Sequence, residues 1–137
     1  MKNRSFIRFL IACCFGLFAM NSNAAVNDET NSYSDPGKSI LVERTIPQFS
    51  ISLASNPTTG YSWHLLNYDR NLMMLTNHVY QAPTGNRPGA GGKETWTFQV
   101  NDEGFIAPQV GKITLLYARP WNLKDNSKQV EFTVVTR

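Results

Sequence analysis

Three short stretches combine residue types and spacings that could carry chemistry or recognition. They are Asn56-Pro57-Thr58-Thr59-Gly60-Tyr61, Gly89-Ala90-Gly91-Gly92 and Arg119-Pro120-Trp121. In the first, Pro57 limits φ and Gly60 permits a turn, so two adjacent threonines would be held on a stiff, narrow tip. The second could pass for a phosphate cradle, but that needs a strand before the glycines and a helix N-terminus after them. Lys93-Glu94-Thr95-Trp96-Thr97-Phe98 instead reads as a strand, which leaves a hairpin tip or a loop whose backbone must come close to a partner. In the third, Trp121 follows Pro120 with no alternating apolar neighbours. Pattern alone fits equally an exposed binding anchor and a core residue capping the end of a sandwich.

Reactive constellations of the enzymatic kind are missing. His64 and His78 are the only histidines, and neither stands at a metal-ligand spacing from another His or a Cys, so both read as solvent-facing strand residues. No G-x-S-x-G elbow occurs. Carboxylates are scattered apart from Asp28-Glu29 and Asp102-Glu103, which does not suit paired-carboxylate hydrolysis. No catalytic residue, metal ligand or cofactor site is expected.

The elements that must position the three stretches follow from period-two alternation. Phe49, Ile51 and Leu53 form one apolar set, and Tyr61, Trp63 and Leu65 a second. Trp96, Phe98 and Val100, then Ile113, Leu115 and Tyr117, and finally Val130, Phe132 and Val134 complete the series. Between them lie turn-forming clusters, at residues 56–60, 83–92, 101–104 and 119–127. The spacing predicts an all-β, two-sheet antiparallel sandwich with Trp63 and Trp96 as its largest core residues. Asn71-Leu72-Met73-Met74-Leu75 could pass for a helical turn but is too short for a stable helix.

The first 24 residues read as a secretory signal peptide. Lys2, Arg4 and Arg8 precede an apolar run from Phe9 to Met20, and Ser22-Asn23-Ala24 supplies small residues for cleavage before Ala25. Leu10-Ile11-Ala12-Cys13 also resembles a lipobox, which makes lipidation at Cys13 the competing reading. Both cysteines, Cys13 and Cys14, would leave with the leader. The mature chain of 113 residues would hold ten basic and ten acidic side chains, no disulfide and no thiol nucleophile. That balance gives no support to a nucleic-acid partner held by phosphate attraction, and nothing demands membrane attachment or more than a monomer. Residues 25–38 are polar and read as a flexible lead-in to a domain spanning 39–137.

The three loops carry a resemblance. Asn56-Pro57-Thr58-Thr59-Gly60-Tyr61-x-Trp63, then Gly89-x-Gly91-Gly92 followed by Trp96 and Phe98, then Arg119-Pro120-Trp121, resemble in order and spacing the signature motifs of the chagasin family of cysteine peptidase inhibitors. The resemblance implies an immunoglobulin-like β-sandwich with three binding loops clustered at one end, plugging the active-site cleft of papain-like cysteine proteases. Residues 56–60 would enter the cleft, with Thr58 and Thr59 next to the catalytic Cys of the protease. Gly89, Ala90, Gly91 and Gly92 would flank one side, and Arg119, Pro120 and Trp121 the other. Arg87-Pro88 would stiffen the entry to the middle loop. The alternative is a secreted immunoglobulin-like adhesion or recognition module, since fold alone fixes no function.

Overall fold

The computed structural model describes residues 31–85, 89–124 and 127–137. The leader, its cleavage point, the Cys13 lipobox and Arg87-Pro88 lie outside the described residues.

The apolar sets found in the sequence form the inward faces of strands, except that Tyr61 lies just before its strand and Tyr61, Leu65 and Tyr117 are half-buried. Among the described residues the strands are β1 (Ser32–Tyr33), β2 (Ile40–Val42), β3 (Gln48–Ser55), β4 (Ser62–Tyr68), β5 (Met73–Gln81), β6 (Gly92–Val100), β7 (Val110–Ala118) and β8 (Lys128–Thr136). They build two four-stranded sheets, ordered β1-β3-β6-β5 and β2-β8-β7-β4. The facing sides supply Phe49, Ile51, Trp96 and Phe98 from one sheet and Trp63, Ile113, Leu115, Phe132 and Val134 from the other, all buried. Phe49 stacks on Phe98 at 5.6 Å between centroids, and Tyr68 meets Phe98 edge-on.

The sheets are mixed rather than wholly antiparallel. β1 runs parallel to β3, and β2 parallel to β8, while the pairings among β3 to β8 are antiparallel. The chain lays one short strand on each sheet before the main sandwich begins, covering two edges that would otherwise expose unpaired backbone groups. The lead-in expectation therefore fails at Ser32–Tyr33: these residues pair with Ser50 and Ile51, and Tyr33 packs edge-on against Phe49.

As its length implied, the stretch 71–75 holds no helix: Asn71 and Leu72 complete a turn in which Met73 N–H donates to the Asp69 carbonyl (3.0 Å), and β5 begins at Met73, its register slipping between Leu75 and Asn77. This bulge changes the phase of the inward side. Met73 and Leu75 stand opposite Val100 and Phe98, and after the slip His78 and Tyr80 stand opposite Trp96 and Glu94.

The register puts three connections at one end. The β3–β4 link crosses between sheets, while the β5–β6 and β7–β8 links close hairpins, one in each sheet. Ser55 pairs with Gly92, Gln81 with Lys93, Ser62 with Ala118 and Tyr117 with Lys128. All these stems therefore stop at the same level.

Trp63 supports that end from below, its ring 5.0 Å from Tyr117 and its indole N–H donated to the Ala54 carbonyl at 3.0 Å. Trp63→Ala is expected to cost about 3–5 kcal/mol, as large aromatic truncations in packed cores do. Urea denaturation checks this, and a loss below about 1 kcal/mol would contradict core placement.

Candidate functional site

The first loop is a single hydrogen-bonded turn. Pro57–Thr59 form one 3₁₀ turn, Thr59 N–H donates to the Asn56 carbonyl (3.1 Å) and Gly60 N–H to the Pro57 carbonyl (2.9 Å). Pro57 opens the turn, where its missing N–H costs nothing, and Gly60 ends it at φ 81°, a left-handed conformation that disfavours a side chain.

Asn56 uses every polar atom it has. Its N–H donates to the Tyr117 hydroxyl (3.0 Å) and its carbonyl also accepts from Thr59 Oγ1 (2.7 Å). Its Oδ1 accepts from Thr58 Oγ1 (2.6 Å), and its Nδ2 donates to the Gly89 carbonyl (3.3 Å). Sequence reading placed Asn56 at the tip, and the structure makes it the brace of that tip. The threonine hydroxyl protons stiffen the turn from within, leaving oxygen lone pairs for a partner.

The other two loops close on the first. Trp121 is 73% exposed, which excludes the core-capping reading, yet one edge of its indole lies against Gly60. A Cβ on Gly60 would stand 2.8 Å from Trp121 Cη2. The Arg119 guanidinium lies over the Tyr61 ring at 4.7 Å, and Tyr61 stacks on Tyr117 at 5.4 Å. Asn122 N–H donates to the Arg119 carbonyl (3.0 Å), closing the turn that carries Pro120 and Trp121 outward. On the opposite flank, Gly91 passes close to the Ser55 carbonyl.

The twelve candidate residues thus gather at one end but divide by position. Pro57, Thr58, Thr59, Gly89, Gly91, Pro120 and Trp121 are exposed, whereas Asn56, Gly60, Ala90 and Arg119 are half-buried. Gly92 belongs to β6. A Cβ there would run into the Gln81 carbonyl and stand 2.7 Å from the Tyr80 hydroxyl, so its lack of a side chain serves strand packing.

Two neighbouring groups escaped the sequence reading. Leu123 is exposed two residues beyond Trp121. Glu94 is buried beneath the loops and accepts hydrogen bonds from three residues, a position its even spacing with Trp96, Phe98 and Val100 could have signalled. His78 is correspondingly more than a solvent-facing residue: its ring stacks on Trp96 at 3.6 Å and its Nε2 bonds Glu94. His64 is half-buried, its Nε2 3.3 Å from the Ala118 carbonyl oxygen. Among the described residues, no group of three or more His, Cys, Asp or Glu could hold a metal ion.

A two-sheet β-sandwich with three loops gathered at one end is an immunoglobulin-like architecture. The sequence profile of the chagasin family of peptidase inhibitors, I42, matches residues 45–135, and the chain belongs to that family of protease inhibitors, which are not enzymes. Chagasin of Trypanosoma cruzi is 32% identical over 88 residues, covering 61% of this chain and 74% of that protein. The fold is shared with the cysteine protease inhibitor EhICP2 of Entamoeba histolytica, with a TM-score of 0.58 at 21% identity, over 78% of this chain and 95% of that one. Amebosin gives a TM-score of 0.59 at 26% identity, over 77% and 96%. PbICP-C, solved in complex with falcipain-2, gives 0.55 at 15% identity, over 78% and 88%.

Two glycines separate backbone strain from loop contact. Gly89 has φ 79° with nothing within 4 Å of the point a Cβ would occupy, whereas Gly60 has φ 81° and Trp121 against it. Gly89→Ala should cost about 1 kcal/mol and Gly60→Ala clearly more, from the same left-handed penalty plus displacement of the indole. Equal shifts in chemical denaturation would show that Trp121 does not rest on Gly60.

Proposed function

We propose that the protein is a reversible, competitive inhibitor of papain-like cysteine proteases, acting as a monomer, that seats all three loops in and around the catalytic cleft. The observation that carries this reading is the mutual locking of the loops, through Asn56 to Gly89 and Gly60 to Trp121. Family membership supports the protease partner, as does the falcipain-2 complex of PbICP-C.

The geometry suits blocking rather than catalysis. Pro57, Thr58 and Thr59 carry no charge, so the tip enters a cleft without desolvating an ion. Its turn is formed before binding, which lowers the ordering entropy lost on association. A cysteine protease needs a peptide carbonyl presented in attack geometry. Here the Asn56 and Pro57 carbonyls are already engaged inside a 3₁₀ turn, which opposes cleavage. Trp121 supplies a large apolar anchor beside the tip, the type of residue that dominates interface energies. With no cysteine after residue 14, inhibition proceeds without a thiol warhead. The basic-then-apolar leader supports action outside the cytoplasm, as a secreted or periplasmic protein.

Titrating papain with the purified protein tests the reading: activity should fall stoichiometrically and return on dilution, with no covalent adduct. Undiminished papain activity at saturating protein would contradict it. Trp121→Ala should raise the inhibition constant about 30-fold, matching the roughly 2 kcal/mol of an interface hot spot, and Thr58→Ala about tenfold. Both variants should melt within a few degrees of the parent, because neither side chain is buried.

A further inference from the structure

We propose that Glu94 is a positioning residue for protease binding: its buried carboxylate ties together the stems of the first and middle loops, and His78 acts on the binding edge through it. The inference rests on the inhibitor reading given above.

Glu94 is 3% exposed and stands on β6 two residues beyond Gly92, where the middle loop ends. Its Oε1 accepts from Ser55 Oγ at 2.5 Å and from the Trp63 backbone N–H at 3.1 Å. Its Oε2 meets His78 Nε2 at 3.1 Å. Ser55 is the last residue of β3, just before the first loop, and Trp63 lies just after it on β4 in the opposite sheet. His78 is on β5, the strand that leads into the middle loop. One carboxylate therefore reaches both stems of each loop and bridges the two sheets directly beneath the prow.

An apolar side chain would continue the inward series of Trp96, Phe98 and Val100 without the desolvation cost of a buried carboxylate. What the carboxylate adds is direction. Three donors from three other strands converge on it, so the stems have one arrangement rather than several sliding ones. His78 completes the set from a side chain 38% exposed and outside the prow, held flat on Trp96.

The test measures papain inhibition, unfolding and amide exchange for the full chain and three variants. Glu94→Leu keeps the bulk and removes all three acceptor contacts. Its inhibition constant should rise about 30-fold or more, mainly through faster dissociation, as a loop that must order on binding loses affinity. Amide exchange at Thr59 and Gly60 should accelerate. Glu94→Gln retains an oxygen for Ser55 and Trp63 and should restore most of the affinity. His78→Phe preserves the stack on Trp96 but drops one hydrogen bond, and should weaken inhibition about tenfold.

Active-site titration normalises each value to folded protein, so a merely structural Glu94 would lower the melting temperature and leave the inhibition constant unchanged. That result, or parental loop exchange in Glu94→Leu, would overturn the proposal. If Glu94→Leu does not fold, His78→Phe decides: parental affinity overturns the proposal, and weakened affinity at an unchanged melting temperature supports it. Failure of the parent protein to inhibit papain would instead strike the inhibitor reading itself.

Discussion

The three-loop end depends on Asn56 engaging all four of its polar atoms at once. Its four polar atoms are committed to Tyr117 across the sandwich, to Thr58 and Thr59 within the turn, and to Gly89 on the neighbouring loop. One residue thus fixes the height of the tip above the sheets, its internal shape and its distance from the middle loop. A shorter or apolar residue at this position would break several of these constraints together, because they share one side chain and one peptide unit. The entropy cost of ordering this turn is met during folding, where the sandwich core offsets it.

The platform under the tip is aromatic on one side and polar on the other. Trp63, Tyr117 and Tyr61 form a continuous stack rising from the core to the surface, with Arg119 lying over the outermost ring. Beneath the middle loop, Glu94 gathers Ser55, Trp63 and His78. The two groups meet at Trp63, whose ring serves the first and whose backbone N–H serves the second. A chain with no cysteine beyond residue 14 thereby holds three separate loops in register through the pairing of their stems and the side-chain contacts between them. Far from this end, Thr136 accepts from the Gln109 N–H and donates to the Gly104 carbonyl, closing the opposite pole without contributing to the prow.

Much of this was legible in the residue order, for a definite reason. Strands buried on one face print their alternation directly, so β3, β4, β6, β7 and β8 announced themselves through Phe49, Trp63, Phe98, Leu115 and Phe132. β5 did so only in part: His78 to Tyr80 read as strand, but its start did not, because the bulge between Leu75 and Asn77 shifts the inward phase. β1 is two polar-flanked residues whose pairing is decided by the edge of β3, which no local pattern encodes. At the site, motif order located all three loops, but not which residues brace and which present. That Asn56 and Arg119 are engaged with neighbouring loops and rings is visible only in distances. Trp121 was undecidable, since Pro120 ends the periodicity that would have placed it.

The central claim is that three separate segments act as one preformed surface. Isotope-labelled protein titrated with papain whose catalytic cysteine is blocked tests it most directly. Backbone amide shifts should change together, at a single stoichiometry, at residues 58–61, 89–92 and 119–123, while the sheet faces and the pole around Gly104 stay still. Perturbation of only one loop, or changes centred on the opposite pole or the sheet faces, would contradict the claim.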